Sequence, residues 1–277
     1  MASDNPALKW TAGGLLVAAA IAAGVYLARP QTPIQAPPAA SAPTAAPVEP
    51  VIEHPIEQAR VEPDAVPVEP LPELMDSDPV AMAALGGIAG LPDILLPEHV
   101  IERIVATVDN LPRKRLAPRV LPSKPAEGTL ATSPPPRVTL APENYARYDR
   151  YVRAFTAADT ETLVAGYVRL YPLFQKAYRE LGYPDAYFND RLVEVIDHLL
   201  AAPEIAEPVE LVRPRAFWEF ADPGLESLSA GHKVLIRIGP GHAARVKARL
   251  RELRAALVGA ELRVPDPAEA GNPADNP

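Results

Sequence analysis

The sequence predicts a mainly α-helical, compact domain with a minor β-hairpin, carried behind one N-terminal transmembrane helix and a proline-rich linker. Three observations lead there. Between Lys9 and Arg29 no residue is charged. Of the 35 prolines among 277 residues, 22 lie between Pro30 and Pro136, so the excess marks a region. Beyond residue 143, apolar residues recur at three- and four-residue spacing, the period of an amphipathic helix.

Residues 1–9 read as a short leader. Residues 10–28 would make a helix of roughly 28 Å at about 1.5 Å per residue, close to a hydrocarbon core of about 30 Å. Trp10 and Tyr26 fall near its ends, where amphipathic rings favour the headgroup layer. A cleaved secretory signal, cut after Gly24, is the rival reading. The apolar run continues through Val25, Tyr26 and Leu27, which favours a retained anchor. Lys9 and the terminal amine precede the span, so the N-terminus is expected inside and the bulk outside. In a bacterium that is an inner-membrane protein with a periplasmic body. Gly14, Ala18 and Ala22 form a small-residue ladder through which the anchor could bring about a homo-oligomer.

Residues 29–70 are rich in Pro, Ala and Glu and show no sustained apolar period. Such a stretch buries too little surface to offset its ordering entropy, and disorder is expected. As extended polyproline II, about 40 residues could reach on the order of 120 Å.

The helical domain is expected over residues 71–260. Asp78 before Pro79 reads as the N-cap of a helix to about Ile88. Pro97 opens a second helix to about Asp109, with Val100, Ile104 and Val108 on one face. Residues 113–142 are proline-rich and basic, a wrapping loop. Glu143 to Ala157 carries Tyr145, Tyr148, Val152 and Phe155 at helical spacing. Asp159 or Thr160 caps a helix from Glu161 to Leu181, which Pro172 should kink near Arg169. Asp185 is the expected cap of a helix through Leu200. Val209 to Val212 and Ala216 to Phe220 form the hairpin. Ser229 caps a helix through Ile238, Gly239-Pro240-Gly241 breaks it, and a last helix runs to about Val258. Residues 261–277 are expected to form a disordered tail.

The run Thr107-Val108-Asp109-Asn110-Leu111-Pro112, followed by Asn144-Tyr145-Ala146-Arg147-Tyr148, resembles the proteobacterial family termed domain of unknown function 3014. Leu170-Tyr171-Pro172-Leu173, Ala177-Tyr178, Leu181-Gly182-Tyr183-Pro184, Ile196-Asp197-His198-Leu199-Leu200, Phe220-Ala221-Asp222-Pro223 and the segment Lys233 to Gly239 extend the resemblance, which covers about residues 71–257. It implies an N-terminally anchored envelope protein and brings no catalytic residue. The chain departs from the pattern at Gly241-His242, so His242 is a poor candidate for a family-wide role.

The formal net charge of −8 argues against a dedicated nucleic-acid binder. The absence of cysteine excludes a disulfide scaffold, a zinc ribbon, an iron–sulfur cluster and a cysteine nucleophile. There is no Gly-x-Ser-x-Gly elbow, no Walker loop and no metal-type histidine pair. Asp197 beside His198 is a tempting pair, but adjacent helical residues point about 100° apart. His198 therefore reads as an ordinary helix partner of Glu194, and Ser227 and Ser229 read as turn and cap. No catalytic residue, metal or cofactor is expected.

Tyrosine and arginine placement is less ordinary. Eight of the nine tyrosines fall between Tyr145 and Tyr187, interleaved with five arginines. These residue types are enriched at recognition surfaces, and buried tyrosines bonding local groups are the competing account. From Gly231 to Ala255, seven basic residues face only Glu252. The candidate binding surface is Tyr145, Arg147, Tyr148, Tyr171, Tyr178, Arg245, Arg249 and Arg251. The expected function is a membrane-tethered, non-enzymatic binding or scaffold module that recognises an envelope protein or an anionic wall component. The alternative is an anchored cell-wall hydrolase or transferase that uses carboxylates of the Tyr/Arg-rich region.

Overall fold

The computed structural model of the protein describes residues 52–56, 70–205, 208–215 and 217–259. The expected anchor and its small-residue ladder, most of the linker and the tail lie outside these residues. Among the described residues no helix is long and apolar enough to cross a membrane.

A 3₁₀ turn at Leu74–Asp76 leads into α1 (Asp78–Leu85), α2 (Leu91–Ile94) and α3 (Val100–Asn110). Asp78 does not cap its own helix as the sequence suggests; Ser77 holds that position. Its carboxylate instead accepts the N–H groups of His99 and Val100, each at 2.8 Å. Two of the orphan donors of α3 are thereby satisfied from another helix, because His99, with φ of +54°, offers no side-chain cap of its own. α3 buries Val100, Ile104 and Val108, the expected face.

The wrapping loop over 113–142 is fastened along its length. Antiparallel bridges join Leu95 to Ser123, Thr132 to Leu140 and Thr139 to Glu210. From α3, the Arg103 guanidinium donates to the carbonyls of Arg119 (2.6 Å) and Leu121 (3.2 Å), and the Thr107 hydroxyl donates to that of Val120 (2.8 Å). These bonds replace the secondary structure that its prolines forbid.

The expected helix from Glu143 to Ala157 is two helices, α4 (Glu143–Ala146) and α5 (Asp149–Ala157). Tight three-residue bonds from Tyr148 N–H to Tyr145 and from Tyr151 N–H to Tyr148 mark the break. The fully buried Asn144 donates from Nδ2 to the Arg237 carbonyl at 3.1 Å. α6 (Thr160–Glu180) is capped by Asp159, which accepts from Thr162 N–H at 2.8 Å. Pro172 sits on its exposed side and the helix continues through it. α7 (Phe188–Leu200) lacks the expected cap at Asp185. Gln175 of α6 accepts its Phe188 N–H at 2.9 Å, a second cap supplied across the fold.

β1 (Leu211–Val212) and β2 (Glu219–Phe220) form the hairpin, antiparallel, with Leu211 opposite Phe220. α8 (Pro223–Ser227) and α9 (Ala230–Arg237) follow, and Ser229 caps α9 as expected by accepting His232 N–H at 3.1 Å. Gly239, at φ of +87°, turns the chain into α10 (Pro240–Gly259). α10 packs against α5, α6 and α7, while α3 packs on α6 and α7. One large apolar core fills the space between these helices, and a smaller one of Leu140, Val209, Leu211, Phe220 and Ile236 lies under the hairpin. The result is a mainly helical domain with a small two-stranded antiparallel sheet.

Within the stretch expected to be disordered, residues 52–56 lie against the start of α7. Ile56 is 6% exposed and belongs to the large core.

Candidate functional site

The eight candidate residues divide by burial. Tyr148, Tyr171 and Tyr178 are core residues, so they present no ligand surface; this corrects the surface reading. Tyr171 meets Tyr167 edge to face at 5.6 Å and donates its hydroxyl to Gln175 Oε1 at 2.8 Å. Tyr178 stacks on Tyr183 at 4.7 Å. Burial lifts the Tyr148 and Tyr171 hydroxyls above the ordinary phenol range and pushes Tyr178 up to about 12. Large rings with locally bonded hydroxyls stabilise a core, which is the competing account the sequence offered.

Arg147 is a fastener. Its guanidinium donates to the carbonyls of Glu127 (2.9 Å) and Gly128 (3.0 Å) and to Asn144 Oδ1 (2.9 Å), which pins the loop to α4. Tyr145 is half-buried and borders a recess of about 380 Å³ between α9 and α10. Ile205, Val209, Ile236, Ala243 and Lys247 also line that recess. Lys247 is buried and donates to the Ala202 carbonyl at 2.6 Å.

Three carboxylates in or beside the Tyr/Arg-rich region are engaged within the fold, whereas Glu161, Glu180 and Asp185 are exposed. Asp149 Oδ1 lies 2.7 Å from His242 Nε2, and His242 Nδ1 lies 2.9 Å from the Ile238 carbonyl. Asp159 caps α6, and its pKa is lowered chiefly by the bond from Thr162. Asp190 accepts two main-chain N–H groups from residues 53 and 54.

The basic cluster also divides. Arg249 is 7% exposed and donates to Ala158 O, Thr160 Oγ1 and Glu252 Oε2. Lys233 pairs with Glu226 at 2.9 Å, and Arg254 is bidentate with Asp197. Arg237 lies over the Phe220 ring at 5.1 Å and donates to the Trp218 carbonyl. Arg245 and Arg251 remain: both are exposed on α10, and among the described residues neither has a carboxylate within ion-pair distance. The exposed cations of this segment without a carboxylate partner among the described residues thus come down to two surface arginines. Counting charges along the chain could not show this, because the partners of Lys233 and Arg254 lie in other elements.

One contact escaped the sequence reading. His198 Nε2 is 2.8 Å from Ser229 Oγ, and the His198 ring stacks on His232 at 4.1 Å and 7°. His232 Nε2 is in turn 2.6 Å from the His198 carbonyl. Burial lowers the His198 pKa, with His232 and then Arg191 adding to the effect. A serine bonded to a histidine is the geometry of an activated nucleophile. Here the serine oxygen also caps α9, and Asp197, the carboxylate nearest in sequence, turns away to Arg254. The recess is lined by other residues. The arrangement closes a helix end against α7. The signal available in the sequence was the cap position itself, not the distance of 31 residues between the two partners.

Among the described residues no group of three or more metal-ligating side chains occurs. Comparisons with curated proteins and with solved structures find no match. Residues 100–254, more than half of the chain, match the family described as "Protein of unknown function (DUF3014)". The motifs around Asp109, Asn144 and Asp197 fall inside that span, and the chain belongs to the DUF3014 family.

Proposed function

We propose that this protein is a membrane-tethered envelope module, periplasmic in a bacterium, that binds an anionic envelope partner through the exposed face of α10. The uncharged segment 10–28 supplies the anchor, and the proline-rich stretch behind it supplies reach. The observation that carries the binding reading is the charge inventory of α10. Lys247, Arg249 and Arg254 are engaged by the fold, whereas Arg245 and Arg251 point to solvent without a carboxylate partner among the described residues. Cations left over after internal pairing are the ones available to a partner, and such contacts govern encounter and specificity more than raw affinity.

Photocrosslinking in intact cells tests this reading. A photoreactive residue at position 251 should give a discrete adduct that weakens when Arg245 is changed to Glu and when salt is raised. A probe at Glu180, exposed at the far end of α6, is the control. Equal adducts from both positions, insensitive to the charge change, would overturn the proposal.

A further inference from the structure

Residues 52–56 meet the domain through their main chain. Asp190 Oδ2 accepts Glu53 N–H at 3.1 Å and Oδ1 accepts His54 N–H at 2.7 Å. Asn189 Nδ2 donates to the His54 carbonyl at 2.9 Å, and Tyr187 Oη accepts Ile56 N–H at 2.7 Å. Pro55 has no N–H to satisfy, so every main-chain donor from 53 to 56 is accounted for. Only Ile56 inserts its side chain; Ile52, Glu53 and Pro55 remain exposed.

The floor beneath this segment is held independently of it. Asn189 is fully buried, and its Oδ1 accepts from the Tyr167 hydroxyl at 3.3 Å. Tyr187 packs its ring on Tyr171 at 5.3 Å. Gln175 ties the turn before α7 by donating to the Ala186 carbonyl at 2.8 Å and accepting from Phe188 N–H. An emptied floor would therefore keep its shape, yet would leave Asn189 Nδ2 without its acceptor and expose an apolar socket. A preorganised site that exchanges a protein acceptor for water and bares an apolar socket favours being filled.

We propose that Tyr187, Asn189 and Asp190 form a docking seat for an extended peptide, reading two consecutive main-chain N–H groups, then proline, then a branched apolar side chain. Residues 53–56 of the same chain occupy it in cis as a detachable strap. Docking the strap moves the point at which the tether leaves the domain from residue 70 back to residue 52. The seat itself does not depend on the α10 reading, while the change in the tether's exit point rests on the N-terminal anchor proposed above.

The test uses the full chain and a full-chain variant in which residues 52–56 are replaced by Gly and Ser. The probe is a fluorescent peptide of residues 50–58. The replaced variant should bind it roughly tenfold or more tightly than the wild type, whose seat is taken. Ile56→Asp in the peptide, or Asp190→Ala in the replaced variant, should abolish binding. Independently, amide exchange at Glu53, His54 and Ile56 should be slow in the wild type and fast in Asp190→Ala. No binding to a folded replaced variant, equal binding to both proteins, or fast exchange in the wild type would overturn the proposal. Dimers that require residues 52–56 would place the strap of a second copy in the seat and overturn the cis assignment.

Discussion

The carboxylate of Asp78 accepts the main-chain N–H groups of His99 and Val100, each at 2.8 Å, so the first helix closes the N-terminus of the third. A charged acceptor on two orphan donors also opposes the positive end of the helix dipole. Asp78→Ala should lower unfolding stability by about 2 kcal/mol. Urea denaturation measures it, and a change within about 0.5 kcal/mol would show that the cap contributes little.

Asp109 is 2% exposed and anchors a second cross-helix junction. It accepts from Arg113 Nη2 at 2.7 Å and from Arg191 Nε at 3.1 Å, with the Tyr183 hydroxyl at 3.3 Å. Removing the carboxylate would leave the half-buried Arg191 cation with its remaining bond to the exposed Glu194 and the Asp109 carbonyl. Asp109→Ala should cost about 3 kcal/mol, at the level of a broken buried pair. Arg113→Ala, whose side chain is more than half exposed, should cost much less.

Gly239 occupies the left-handed region at φ of +87°, and a Cβ there would lie 2.6 Å from the Tyr145 ring. Gly239→Ala should destabilise the domain by more than about 1 kcal/mol. Gly241, two residues on, has open space and ordinary φ, so Gly241→Ala should be neutral or mildly stabilising. Thermal unfolding of the two variants side by side checks the contrast.

The sequence carried helix positions well because burial and period coincide in α3, α6 and α7. It misplaced caps where the partner lies elsewhere in the chain. Asp78 satisfies α3 and Gln175 satisfies α7, and neither relationship has a local signature. The candidate surface was legible only in part for the same reason. Arg249 and Arg251 look alike along the chain, but only Arg249 meets the Ala158 carbonyl and the Thr160 hydroxyl. The strap was illegible because its recognition is through the main chain, which any residue except proline offers.

That distinction gives a prediction for α10. Arg249→Ala should lower thermal stability clearly, since Ala158 and Thr160 lose their buried partner. Arg245→Glu and Arg251→Glu should leave the midpoint nearly unchanged. Calorimetry on the three single variants decides it; equal shifts in all three would mean that exposure does not separate them.

His198 sets a pH dependence. Its folded pKa lies below the ordinary histidine value of 6.5, chiefly through burial and then through the stacked His232 and Arg191; Glu194 opposes them. The unfolded chain therefore binds the proton more readily. Stability from this site is complete above about pH 6.5 and falls as the pH drops below it, until the lowered folded value is reached. The melting temperature should decline between pH 7 and 5, and His198→Gln should flatten that decline. A wild-type profile parallel to that of the variant would remove His198 from the account.

The envelope module proposed above has its folded body outside the cytoplasm, carried on an N-terminal span. A compartment-sensitive reporter fused after Pro277 measures it directly. Reporter activity is expected outside the cytoplasm, in the membrane fraction, with loss of both export and membrane association when residues 1–28 are deleted. Reporter activity confined to the cytoplasm, or unchanged membrane association after that deletion, would contradict that proposal.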